Sequence, residues 1–283
     1  MKSFFETMKM IKIEHSVFAL PFALASAFLA AEGVPTLRAI ILILIAMVSA
    51  RSAAMAFNRY LDADIDSKNP RTEIRSIPAG RLSRKYVLIF TITSVAIFII
   101  ACYLLNPLTF MLSPLVVLVL LGYSYTKRFT PLCHLVLGMA LGLAPVGAWT
   151  AVRGSLEWTP FLLGIAVMLW TAGFDIIYAC QDYEFDIEHG LHSVPVIMGV
   201  SNSLALSRTL HLITLFLLVQ FGYLLQFSWI YWGGLILVAG TLIYEHYLVR
   251  GDDLSKVDMA FFTMNGVISL VFGGATIAAV LIS

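Results

Sequence analysis

The feature that most limits what this chain can fold into is a succession of apolar runs, each about twenty residues long and nearly free of charge. A bilayer core about 30 Å thick requires roughly 20 such residues per helix. That spacing predicts nine spans, at 15–32, 36–57, 86–105, 107–125, 133–151, 159–181, 204–226, 229–249 and 259–282. Long continuous runs predict helices, because barrel strands would show short alternating segments. Composition agrees: of 283 residues 60% are hydrophobic and 12% charged, with a mean hydropathy of +0.90. A soluble domain of that make-up would expose more apolar surface than water tolerates. The N-terminus mixes Lys2, Lys9 and Lys12 with Glu6 and Glu14 and then enters an apolar run without a cleavage signal, so it reads as a retained first helix. The expected fold is an all-α polytopic membrane protein, one domain over 1–283, with nine transmembrane helices around a central cavity.

Charge fixes the sidedness. Lys2, Lys9, Lys12, Lys68, Arg71, Arg75, Arg81, Arg84, Lys85, Lys127, Arg128, Arg250 and Lys256 fall at the N-terminus or in the even-to-odd connections, against Arg38 and Arg153 on the other face. By the positive-inside rule the first set is cytoplasmic and the C-terminus lies on the opposite side, in a prokaryotic inner membrane. A net charge of +1 argues against a nucleic-acid partner. Cys102, Cys133 and Cys180 lack ligand spacing and read as small buried residues, without disulfide or metal.

Two acidic clusters share the cytoplasmic face. Asp62 and Asp66 lie four apart, as do Asp182 and Asp186, each pair 120 residues from its counterpart, and each is followed by "SIP" or "SVP". This echo suggests two four-helix units, roughly 15–125 and 133–250, plus one extra helix. Residues four apart on a helix share one face. Asn58, Asp62 and Asp66 thus form a stripe of hard oxygen donors suited to Mg²⁺, which takes one or two carboxylates and completes its shell with water and phosphates. With the second pair facing it, and Arg71, Arg75, Lys127 and Arg128 alongside, the stripe would make a site for Mg²⁺ and a diphosphate. A single cluster of this kind is usually a solvated helix end; two matched clusters on one face are not so easily explained that way.

These residues resemble the UbiA-type intramembrane aromatic prenyltransferases. Asn58-x-x-x-Asp62-x-x-x-Asp66 with "NPRTEIRSIPAG" is similar to the first aspartate-rich motif of that family. Asp182-x-x-x-Asp186, preceded by Asp175 and Tyr178, is similar to the second, and Tyr123-x-x-x-Lys127 to its Tyr-x-x-x-Lys element. The resemblance implies transfer of a polyprenyl group from an allylic polyprenyl diphosphate to an aromatic acid, with membrane lipid as surroundings. Mg²⁺ would be held by Asn58, Asp62, Asp66, Asp182 and Asp186, and phosphate oxygens clamped by Arg71, Arg75 and Lys127. The leading acceptor is 4-hydroxybenzoate, for a ubiquinone-type pathway. The opening "KIEHSVFALPFAL", and Arg59 where many 4-hydroxybenzoate enzymes carry an aspartate, keep a dihydroxynaphthoate of menaquinone synthesis as the alternative.

Buried polar residues sharpen the expectation. Arg51, seven before Asn58, is about two turns deeper on the same face, where an arginine is costly unless it binds anionic substrate or pairs structurally. Asp175 repeats that geometry before Asp182 and either orients the acceptor or pairs with Arg51. Tyr123 and Tyr178 offer ring faces to a cation or serve as interfacial anchors. His15, beside Glu14 at the entry to the first span, reads as a hydrogen-bonded interfacial histidine, with contact to the acceptor as the alternative. His134, His189, His192, His211 and His246 show no ligand spacing. The glycines at 138, 142 and 147 predict close helix packing, and "GDDLSKVD" at 251–258 a polar turn. An ion-coupled transporter is the rival class, since such carriers also use intramembrane carboxylates and repeats; it would place them near the midplane in inverted copies.

Overall fold

In a membrane every backbone polar group must be satisfied within the protein, which leaves helices as the way to build these segments. The computed structural model describes residues 2–12, 18–251 and 253–282. Its helices are α1 (Lys2–Ile11), α2 (Leu20–Ala31), α3 (Leu37–Asp66), α4 (Arg84–Leu105), α5 (Pro107–Thr126), α6 (Cys133–Arg153), α7 (Trp158–Ala179), α8 (Tyr183–Glu188), α9 (Val194–Leu224), α10 (Trp229–Leu248) and α11 (Asn265–Ile282). No strand occurs among the described residues; an isolated bridge joins Arg250 and Asp253. Among the described residues seven segments are long and apolar enough to cross a membrane: α3, α4, α5, α6, α9, the run Trp158–Glu188 containing α7, and the run Met259–Ile282 containing α11. The chain is an integral membrane protein. Helix α2 is apolar but shorter, and α10, which carries Glu245 and His246, falls outside the set of seven.

The helix ends differ from the hydropathy boundaries where polar residues continue a helix beyond the lipid. Helix α3 runs on to Asp66, so the whole Asn58–Asp66 stripe is helical. After α7 the chain tightens into a 3₁₀ turn at Cys180–Asp182 before α8, so Asp182 and Asp186 stand on two short elements instead of one continuous helix. Helix α9 starts at Val194, ten residues before the expected span, and breaks at Gly199 (φ 72°, ψ 163°), a conformation that favours glycine. Helix α1 was not anticipated. Residues 13–17, including Glu14 and His15, lie outside the described residues, and with them the proposed acceptor contact of His15.

Side-chain caps set several ends. The Thr36 hydroxyl accepts from Ala39 N at 3.2 Å. Asn106 and Thr109 form a reciprocal capping box at α5, and Asn106 Nδ2 also donates to the carbonyls of Thr150 (2.8 Å) and Ala151 (3.1 Å), fastening α5 to the end of α6. Helix α3 packs on α4 and α5, α5 on α6, α6 on α7, α7 on α9, and α10 on α11, which reaches α2 and thence α6. Gly138 and Gly142 let α6 meet α7 closely: a Cβ there would run into the carbonyls of Met168 and Gly164. Gly147 is a correction to the packing expectation, because a Cβ at that position meets nothing within 4 Å and the residue lines a cavity. The polar turn after α10 holds: Asp253 accepts from Ser255 N at 2.9 Å.

Candidate active site

The acidic stripe of α3 is sunk into the protein, with Asp62 1% and Asp66 3% exposed. Buried carboxylates persist only when paired, and the connections supply the partners. Asp62 Oδ2 receives Lys127 Nζ at 2.6 Å and Asn58 Nδ2 at 3.0 Å, while Asp62 Oδ1 lies 3.4 Å from Arg128 Nη2. Arg128 also donates to the Leu61 carbonyl at 2.9 Å. Asp66 Oδ1 is held by Arg75 at 2.7 Å; its other oxygen is buried without a hydrogen-bond partner.

The segment between α3 and α4 reaches across to the second cluster. Arg71 forks onto both oxygens of Asp182, Nε to Oδ1 at 2.9 Å and Nη2 to Oδ2, and donates through Nη1 to the Tyr178 hydroxyl at 2.8 Å. Asn69 Nδ2 donates to the same Asp182 oxygen at 3.0 Å, while Asn69 Oδ1 accepts from Arg71 N at 2.9 Å. Burial works against the Arg71 charge, but the bonds to Asp182 and Tyr178 outweigh it, so its pKa is raised above the ordinary arginine value. Asp186 Oδ2 accepts from Ser193 Oγ at 3.1 Å. Both acidic motifs are thus brought to one place and tied by one basic loop.

Two expectations change. The Tyr178 ring is covered by the guanidinium of Arg71, 5.0 Å from its centroid, so that face is not open to a substrate cation. Asp175 bonds to His134 Nδ1 at 2.7 Å, not to Arg51, and Val194 N approaches His134 Nε2 at 3.3 Å. Among the described residues no group of three or more His, Cys, Asp or Glu side chains forms a metal cluster by itself. Asn69 and His134 are the site residues that sequence reasoning missed. The "KNPRT" turn marks a loop without revealing that it crosses to Asp182, and a lone histidine at a helix start carries no signal.

Inward from the aspartates lies a cavity of about 370 Å³ between α3, α4, α5 and α6. Arg51 and Tyr123 sit on its wall, which is otherwise mostly aliphatic, including Met47, Leu112, Val116, Leu141 and Gly147. Its α3 lining from Ile43 to Met55 covers about 18 Å of helix. An oxygen-rich, cation-lined cluster therefore lies beside a long greasy chamber, with the wall residue Tyr123 within electrostatic reach of Asp62, an arrangement suited to a ligand with an anionic head and an apolar tail.

Residues 19–267 match the UbiA prenyltransferase family. The chain belongs to that family. It is 35% identical over 251 residues to a 4-hydroxybenzoate octaprenyltransferase of Tolumonas auensis, covering 89% of this chain and 87% of the relative. The Vibrio cholerae enzyme of the same name is 32% identical over 283 residues, covering 100% and 97%. The apo structure of a UbiA homolog from Aeropyrum pernix K1 superposes with a TM-score of 0.86 at 34% identity, covering 94% of this chain and 98% of that one. A UbiA homolog from Archaeoglobus fulgidus, bound to DMAPP and Mg²⁺, shares the fold with a TM-score of 0.76 at 21% identity, covering 97% and 99%. This UbiA-family chain is therefore an aromatic prenyltransferase, which sets aside the transporter reading.

Proposed function

We propose that this UbiA-family enzyme transfers a polyprenyl group from an allylic polyprenyl diphosphate to the ring of 4-hydroxybenzoate, for a ubiquinone-type lipid quinone. The observation that carries the reading is the joining of two acidic motifs by a basic loop next to an apolar chamber. The names of the Tolumonas and Vibrio relatives support the acceptor. On this reading the chain is one domain in a prokaryotic inner membrane, and the lysine and arginine distribution supports a site on its cytoplasmic side.

The donor set fits Mg²⁺. Asn58, Asp62, Asp66, Asp182 and Asp186 offer hard oxygens, and the unpartnered Asp66 Oδ2 is a buried oxygen that such an ion satisfies. When bound, Mg²⁺ neutralises charge building on the departing diphosphate. The chain's own residues do the rest. Arg71, Arg75, Lys127 and Arg128 surround the phosphates with preorganised donors, which counts most where charge develops in the transition state. As the allylic C–O bond breaks, the aliphatic walls keep water from the cation until a ring carbon bonds to it and gives up its proton. Arg51 on the chamber wall anchors the acceptor carboxylate, with Tyr123 near it orienting the ring and Asp175, held by His134, a further acceptor contact.

Purified protein in detergent, given a long-chain polyprenyl diphosphate with 4-hydroxybenzoate and a dihydroxynaphthoate side by side, tests this. Mg²⁺-dependent prenylation of 4-hydroxybenzoate, abolished by EDTA, is expected. Product from the naphthoate alone would transfer the same chemistry to menaquinone synthesis. No product from either, with folded protein, would overturn the proposed acceptors.

A further inference from the structure

The cations around the two acidic motifs differ in how they are held. Lys127 and Arg128 hold Asp62, Arg75 holds Asp66 and Arg71 holds Asp182. Arg59 is different. It is 8% exposed, on α3 between Asn58 and Asp62, yet among the described residues its guanidinium has no hydrogen bond and no ion pair. It lies instead within electrostatic reach of Asp66, Asp62, Tyr123 and Arg75. A mostly buried guanidinium held by electrostatics without hydrogen bonds is costly, because the hydration it loses is not replaced by bonds. It is also pushed by a second cation, Arg75. Such an arrangement is tolerable if the missing acceptor arrives with a ligand.

Its height in the fold says which ligand. Arg59 is one turn from Asp62 and two from Asp66, so it stands level with the aspartates; Arg51 is two turns deeper and lines the chamber, which Arg59 does not. An arginine fork matches a pair of phosphate oxygens. We propose that Arg59 is a further substrate-binding residue, whose free fork takes the diphosphate of the prenyl donor and stabilises it as it leaves. Arg59 thereby stands apart from Arg71, Arg75 and Lys127, each of which must share its bonds with an aspartate.

This rests on the prenyl-transfer reading, and the experiment separates the two. Wild type, Arg59→Gln and Arg59→Lys are compared for binding of inorganic pyrophosphate with Mg²⁺ by titration calorimetry, for steady-state kinetics and for melting temperature. Arg59→Gln is expected to weaken pyrophosphate binding about 10-fold or more and to lower kcat/KM for the allylic diphosphate about 100-fold, with KM for 4-hydroxybenzoate unchanged. Its melting temperature should hold or rise, since an unpaired buried charge is removed; Arg59→Lys should recover part of the binding. Unchanged pyrophosphate affinity in a folded Gln variant, or a loss confined to the acceptor KM, would overturn the role of Arg59 alone. If the Gln variant fails to fold, the Lys variant decides: severalfold weaker pyrophosphate binding supports the role, wild-type affinity overturns it. Wild-type protein that binds no pyrophosphate would overturn the functional reading, and Arg59's role with it.

Discussion

The two halves of the bundle solve opposite packing problems. Between α3, α4, α5 and α6 lies a chamber, and only 17% of the apolar window of α5 is buried, because that helix has lipid on one side and open space on the other. Against α2, the helices α7, α9, α10 and α11 close on an aromatic core. Phe22 stacks on Phe272 at 5.0 Å between ring centroids, Trp170 meets Phe174 edge-on at 5.0 Å, and Tyr231 donates to the Leu218 carbonyl at 2.7 Å. Polar groups follow the same division. In the filled half they turn on one another: Asn265 donates to the fully buried Glu245, and His211 bonds to His246 at 2.9 Å. In the hollow half the charged side chains gather around Asp62 and Asp66 beside the chamber. The filled half is closely packed, and from the end of α7 onward it carries Asp175, Asp182 and Asp186.

The largest effects should come from the seam where the halves meet. Asp62→Ala and Asp182→Ala are each expected to lower prenyl transfer at least about 1,000-fold while leaving a folded, membrane-inserted protein, since each removes a carboxylate proposed to hold Mg²⁺ against the departing diphosphate. Turnover near wild type in either variant would remove that residue from the site and break the picture of a shared one. Next come the walls. Trp170→Ala should cost about 3–5 kcal/mol of stability, as emptying a packed aromatic site does, and lower the melting temperature in detergent. The glycines of α6 give the sharpest contrast. Gly142→Leu should destabilise, because α7 lies against it, whereas Gly147→Leu should fold normally and discriminate about 10-fold against long prenyl donors by filling the chamber. Equal behaviour of the two variants would mean that the chamber does not receive the prenyl chain.

The smallest effect belongs to the surface. Arg81 donates to Glu6 at 2.9 Å, and this bond holds the Glu6 carboxyl below its ordinary value. A depressed carboxyl adds stability that is complete above the unfolded value and is lost as pH falls through the folded one. Acidification should therefore cost wild type slightly more thermal stability than Glu6→Gln, and salt should erase the difference because the pair is exposed.

Much of this was legible in the chain. Apolar runs announce helices because lipid forbids unsatisfied backbone, and the four-residue spacing of Asn58, Asp62 and Asp66 announces one face of one helix. The family motifs could be read because their spacing is helical and therefore local. What could not be read is equally physical. Pairing across the bundle, such as Arg71 with Asp182 or Asp175 with His134, joins residues 111 and 41 positions apart, and no periodicity reports such distances. Asp182 and Asp186 look like one helical stripe in sequence, yet a 3₁₀ turn separates their elements. Gly147 and Gly142 look alike in sequence; only the position of α7 makes one a contact and the other a wall of the chamber. From the sequence came the membrane-spanning character of the chain and the family motifs, because hydropathy and helical spacing are local properties. The tertiary structure alone decided where space is left empty, which cations are already held by aspartates and that Arg59 is not, because those are outcomes of packing between distant segments.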